Sequence, residues 1–152
     1  MATQALVARI LAAGDGPSAI DALHDDATIE AAATPLSVAD AARLVGLSAH
    51  TLRYYEQEGL VRPARNGAGH REYAASDLRR LVFLTRMRLS GMTMTDLKRY
   101  IALVEQGPRT VPERRRIMLE QRDRIARQIR ELGLALETTE HKIRVYDGHP
   151  EG

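Results

Sequence analysis

Residues 48–61 read SAHTLRYYEQEGLV, and within five consecutive positions they offer His50, Thr51, Arg53 and Tyr54. These side chains donate hydrogen bonds or carry charge, and none of them forms a nucleophile–base pair. Their natural targets are phosphate oxygens and base edges. An Arg can grip guanine O6 and N7 with two parallel bonds or clamp a phosphate, and residue type alone does not choose between them. His50 can donate or accept at the exposed start of a helix. Tyr54 and Tyr55 are neighbours on a helix and cannot point the same way, so one ring should enter the core while the other keeps its hydroxyl outward. Leu52 belongs inside. Just downstream, LVRPARNGAGHREY (60–73) adds Arg62, Arg65, His70 and Arg71. With Ser37, which opens the preceding helix, the candidate nucleic-acid-facing set is Ser37, His50, Thr51, Arg53, Tyr54, Arg62, Arg65, His70 and Arg71.

Bond-making chemistry is not expected. The chain has no Cys, which excludes disulfides and thiolate metal sites. Its five histidines, His24, His50, His70, His141 and His149, show no ligand spacing, and no carboxylate pair is evident. We therefore expect no enzyme activity, no cofactor and no metal.

Charge is distributed in a way that fits an anionic partner. The formal net charge is only +2. Residues 1–35 carry one Arg against five acids, whereas residues 36–100 carry eleven Lys and Arg against six acids. The positive excess thus surrounds the Ser48–Val61 stretch, where a phosphate-binding surface needs it.

The elements that must position these residues are legible as start and stop signals. Ser37 with Asp40 is an S-x-x-D helix start, followed by the apolar face Val38, Ala41, Ala42 and Val45. Gly46 can take the left-handed conformation that ends this helix, and Ser48 caps the next. Two helices joined by so short a Gly-containing turn predict a helix-turn-helix. Asn66-Gly67 predicts a hairpin turn with both central residues at positive φ, hence a small two-stranded wing carrying the arginines, with Pro63 tolerated at its edge. Ser76 and Asp77 should open a further helix with Leu78, Leu81, Val82, Met87 and Leu89 as core positions, ending at Ser90-Gly91. Thr93 with Asp96 should start another through Leu97, Tyr100, Ile101 and Val104, ending at Gly107-Pro108.

The last helix is predicted from a capping box at Thr110 and Glu113, with Pro112 tolerated in its first turn, and meets no stop before Gly148. Met118, Ile125, Ile129, Leu132, Leu136, Ile143 and Tyr146 fall on a 4-3 repeat interrupted by Arg122 and Thr139. That is a coiled-coil seam on a helix about 55 Å long, and it calls for a second copy. Residues 1–34 read as an Ala-rich extension, flexible or forming short helices around Leu6–Leu11 and Ser18–Glu30, and acidic enough to lie over a basic wing. The expected organisation is thus 1–34 extension, 35–107 DNA-binding domain, 108–147 dimerisation helix and 148–152 tail.

From Ser37 to about Tyr146 the sequence resembles the MerR family of bacterial transcription regulators. The resemblance is carried by LVGLSAHTLRYYEQEGLVRPARNGAGHREY (44–73) and DLRRLVFLTRMRLSGMTMTDLKRYI (77–101). It implies a mostly α-helical fold: a winged helix-turn-helix, a helical pair, and a long helix forming an antiparallel coiled coil with its dimer mate. It implies that His50 and Arg53 occupy reading-helix positions, that Tyr54 and Arg71 contact phosphates, and that Tyr73 is a structural aromatic. It also implies a homodimer on double-stranded promoter DNA, at an inverted repeat in a spacer that the protein distorts for RNA polymerase. Metal- or oxidant-sensing members use Cys near the end of the dimer helix, and none exists here. Only DGHPEG follows the coil, as in short-tailed members. Two other readings share part of this outline, a sequence-nonspecific nucleoid-type DNA binder and a coiled-coil adaptor. There is no apolar run near the roughly 18 residues a membrane span needs and no secretory signal, so a cytoplasmic protein is expected.

Overall fold

The structure, a computed structural model, describes residues 34–149. The short helices expected in the extension lie outside the described residues, as does the tail beyond His149. The chain divides between Ile101 and Ala102 into two compact units.

The first unit begins with α1 (Val38–Val45) and α2 (Ala49–Gln57). Ser37 caps α1, its Oγ accepting from the Asp40 amide at 3.2 Å. Gly46, at φ 73°, closes α1 in the left-handed region, where a side chain would be strained. Ser48 caps α2 by accepting from the Thr51 amide at 3.1 Å. One short turn thus ends one helix and starts the next, and the two helices pack through Ala41, Ala42, Val45, Leu47, Leu52 and Tyr55, all buried.

The wing follows as an antiparallel pair, β1 (Ala64–Arg65) with β2 (Arg71–Glu72), in register Ala64 to Glu72 and Arg65 to Arg71. Its turn differs from the expected Asn-Gly centre. Among the described residues none other than glycine has positive φ, and in the wing only Gly69 does, at φ 82°. Asn66 instead sits at the first position of a turn in which the Gly69 amide donates to the Asn66 carbonyl. The Asn66 side chain accepts from the amides of Ala68 and His70, at 2.9 and 3.0 Å. The loop is therefore three residues with glycine last, the longer of the common hairpin solutions. The asparagine is used for its acceptor rather than for its tolerance of positive φ. Past β2, Tyr73 pairs with Leu36 through two backbone bonds of 2.9 and 2.8 Å, tying the wing to the strand that leads into α1.

α3 (Ala75–Leu89) and α4 (Met94–Glu105) complete the helical pair, Ile101 of α4 being the last residue of the first unit. The start of α3 corrects the sequence reading. Its cap is Ala74, which has no acceptor, and Asp77 Oδ2 receives the Ala74 amide at 2.9 Å. The buried face is Leu78, Leu81, Leu84 and Thr85, whereas Val82 and Met87 are half-buried and Leu89 is exposed. Thr85 is accommodated because its hydroxyl donates to the Leu81 carbonyl at 2.7 Å. α4 starts as expected, the Asp96 amide donating to Thr93 Oγ1 at 3.1 Å.

The second unit contains the end of α4, a 3-10 turn at Pro108–Thr110 and the 38-residue α5 (Val111–Gly148). The expected capping box at Thr110 is absent: its side chain makes no cap bond, and its hydroxyl donates to the carbonyls of Leu103 and Gly107 while accepting from Arg114 Nε. Thr110 therefore pins the turn before the helix. On α5, Ile117 and Gln121 are buried and Met118 and Ile125 half-buried. From Gln128 to the end every side chain is exposed, glycines aside.

Candidate nucleic-acid interface

α2 sorts its residues by face. Leu52 has no exposed surface and Tyr55 is buried, while His50 and Arg53 are exposed and Tyr54 keeps about two fifths of its surface. The tyrosines thus divide as the helix geometry requires, Tyr55 inward and Tyr54 outward, their ring centroids 6.1 Å apart. Burial pushes the Tyr55 phenol above its ordinary pKa, with Arg88 pulling the other way. Thr51 is half-buried, and its hydroxyl shares a hydrogen bond of 2.9 Å with the capping Ser48. Its main task is to hold the helix start, although the oxygen stays at the edge of the exposed face.

The wing places its cations beside the first turn of α1. Ser37, Arg65, His70 and Arg71 line one open groove of about 570 Å³, together with Asn66, Gly69 and the start of α1. Ser37 Oγ accepts from its own helix, which leaves its proton to donate outward. Arg65 folds onto the wing tip, Nη1 donating to the Gly69 carbonyl at 2.8 Å. Arg71 is held differently: its Nε donates to Glu56 of α2, and both partners are largely covered. His50, Thr51, Arg53, Tyr54 and Arg62 lie outside this groove, so the candidate set forms two neighbouring surfaces, the outward face of α2 and the wing groove.

Glu56 is the residue the sequence reading passed over. It stands 15 positions before Arg71, and only its opposite charge hinted at the pairing. Glu58 is a similar case: at the end of α2 it pairs with Lys98 of α4, and that hydrogen bond raises the Lys98 pKa. α2 is thereby anchored near its C-terminal end to the wing through Glu56 and to α4 through Glu58. Tyr73 is wholly buried, and its hydroxyl has no hydrogen-bond partner among the described residues. Burial and then the Glu56 charge raise its pKa, partly offset by Arg71.

The residues of the α5 repeat have the opposite character. Ile129, Leu132, Leu136, Ile143 and Tyr146 are each more than half exposed, and Met118 and Ile125 half-buried. Leu134 and Val145 are also exposed, outside the 4-3 row. Among the described residues no group of three or more His, Asp or Glu could hold a metal ion, and no helix is long and apolar enough to cross a membrane.

Comparison with known proteins agrees with this geometry. Residues 36–103 match the family described as MerR HTH family regulatory protein, and residues 78–141 match the one described as MerR, DNA binding. The HTH-type transcriptional regulator HmrR of Rhizobium leguminosarum bv. viciae is 37% identical over 114 residues, covering 75% of this chain and 88% of the relative. The regulator AdhR of Bacillus subtilis is 37% identical over 91 residues, 59% of this chain and 65% of the relative. Among solved structures, HiNmlR, a MerR family regulator lacking the sensor domain and bound to promoter DNA, superposes with a TM-score of 0.71 at 33% identity, covering 76% of this chain and 92% of that one. A MerR family regulator from Listeria monocytogenes gives the same TM-score at 36% identity, covering 75% and 87%. With its winged helix-turn-helix, helical pair and long terminal helix, the chain belongs to the MerR family of helix-turn-helix transcriptional regulators.

Proposed function

We propose that this protein is a homodimeric, sequence-specific regulator that binds an inverted repeat in a promoter spacer. The N-terminal half of α2 enters the major groove, where His50 and Arg53 meet base edges and Tyr54 a phosphate. The wing grips the flanking backbone through Arg62, Arg65, His70 and Arg71, with Ser37 donating from the start of α1. The observation that carries this reading is the sorting of α2: an amphipathic helix that buries Leu52 and Tyr55 and turns its cationic and hydrogen-bonding residues to solvent. The DNA-bound state of HiNmlR supports it by analogy.

Two copies are joined along α5 by Met118, Ile125, Ile129, Leu132, Leu136, Ile143 and Tyr146. The paired helices then act as a ruler between half-sites. Bending the spacer so that RNA polymerase reaches both promoter elements costs about 1–6 kcal/mol for a site of this size, and phosphate contacts from two basic units can offset it.

Footprinting of the purified full chain over genomic DNA tests the proposal. The expected result is protection of an inverted repeat centred between promoter elements, with affinity well above that for random duplex. Affinity that falls steeply with salt but does not distinguish sequences would replace this reading with a nonspecific, nucleoid-type binder.

A further inference from the structure

The Arg71–Glu56 contact has a geometry that a simple surface ion pair does not need. Glu56 takes the Nε–H of Arg71, the donor nearest the aliphatic stem, and this is the only hydrogen bond of that guanidinium among the described residues. The two terminal amino groups are left uncommitted on a residue that lines the wing groove. The neighbouring Arg65 has by contrast turned Nη1 onto the carbonyl of Gly69. Two residues on from Arg71, Tyr73 is fixed by two backbone bonds to Leu36 and by complete burial of its side chain, which holds the strand that carries Arg71. Glu56 itself is rooted in α2, the helix that carries Arg53 and Tyr54.

We propose that Glu56 is a positioning residue of the DNA interface: it grips Arg71 by Nε and presents the guanidinium's terminal amino groups to a phosphate, in register with the reading helix. The proposal rests on the reading of the wing as a DNA contact. Beside the wing groove, which Glu72 also lines, it assigns a use to one negative charge, that of Glu56. Coulomb attraction alone makes that carboxylate a defect, whereas preorganisation makes it an asset. An unheld Arg must be ordered when DNA binds, and ordering one long side chain weakens binding by about two- to tenfold. A guanidinium fixed at Nε retains a planar fork suited to a phosphate.

The sign of the effect tests the idea. Full-length protein and its Glu56→Ala, Glu56→Gln, Arg71→Ala and doubly substituted Glu56→Ala/Arg71→Ala forms are titrated with the footprinted duplex and with random duplex across a range of salt. Far-UV circular dichroism and thermal melts monitor folding. Glu56→Ala should weaken binding about two- to tenfold for each copy in the dimer. Its plot of log affinity against log salt should become shallower by up to about 1.8, about 0.9 for the phosphate contact of each copy in the dimer, as for Arg71→Ala. The double variant should bind no more weakly than Arg71→Ala alone. Glu56→Gln, which keeps a neutral acceptor, should fall between wild type and Glu56→Ala, and it supplies the same comparison if Glu56→Ala does not fold. Equal or tighter binding by the folded Glu56 variants, or losses that add to those of Arg71→Ala, would overturn the proposal. If wild type fails to prefer the footprinted duplex, it is the DNA reading that fails.

Discussion

Leu52 and Leu132 are the same side chain in the same kind of element, yet the first has no exposed surface and the second keeps 69% of it. The contrast extends to the regions around them. From Leu36 to Ile101, apolar residues of four helices and a wing close over one another, with Leu52, Leu60, Tyr73, Leu78, Leu81 and Leu97 wholly covered. On α5 beyond Gln121 no described side chain is buried, although Ile129, Leu132, Leu136, Ile143 and Tyr146 recur at coiled-coil spacing. The first region obtains its core from its own chain. The second leaves its apolar row exposed. In the proposed dimer that row is covered, since apolar residues on a 4-3 repeat pack against another helix of the same kind. Folding of the first region should therefore be independent of protein concentration, and the state of the second should depend on it.

The sharpest way to separate the regions is to charge the seam. Ile129→Asp combined with Leu136→Asp should raise the dimer dissociation constant by about ten-thousandfold or more. Each lost apolar side chain is worth about 1.5–3 kcal/mol and is lost from both copies. Sedimentation should then show single chains, while melts still report a folded first unit. Leu52→Ala should do the reverse, destabilising the first unit by about 2–5 kcal/mol through lost burial and a cavity. This appears as a lower denaturant midpoint that does not move with protein concentration. A Leu52→Ala defect rescued by concentration would break the division.

Smaller effects probe the surface of the first region. Arg53→Ala should leave stability unchanged and weaken operator binding by about 1–3 kcal/mol, with relaxed preference at one base pair if the side chain reads a base. A uniform loss on all sequences reassigns it to phosphate. Tyr73→Phe should change stability by about 1 kcal/mol or less, toward a more stable protein, because it removes a buried hydroxyl that has no partner among the described residues. It should also flatten the alkaline limb of the stability profile. The folded chain holds the Tyr73 proton more tightly than the unfolded chain does, so stability is full below the ordinary phenol value of about 10 and declines as pH rises above it. Alkaline melts of wild type and variant check that sign.

Much of this division is legible in the sequence, and what escaped has a common cause. Helix starts with a side-chain acceptor were readable because capping is local: Ser37, Ser48 and Thr93 each accept the amide three residues on. The same rule misled at Thr110, where tertiary bonds to Leu103 and Gly107 took the hydroxyl, and at Ala74, which caps without any acceptor. The Asn66-Gly67 pair marked the hairpin tip but not its turn, since Asn66 flanks a three-residue loop that begins at Gly67 instead of forming the centre of a two-residue one. On α3 Leu78 and Leu81 lie inside as expected, but Leu84 and Thr85 take the places expected of Val82, Met87 and Leu89, because Thr85 hides its hydroxyl in a backbone bond and can be buried where a polar letter suggests exposure. The candidate cations were visible as residue types, but the Glu56–Arg71 pair was not, because it joins two elements 15 residues apart.

Sedimentation equilibrium of the purified full chain from about 0.1 to 10 μM, the range over which weak to moderate self-association is resolved, tests the central claim most directly. The account predicts the mass of two chains at the upper end, falling to one when Ile129 and Leu136 carry charge. A wild-type chain that keeps the mass of one throughout would contradict it.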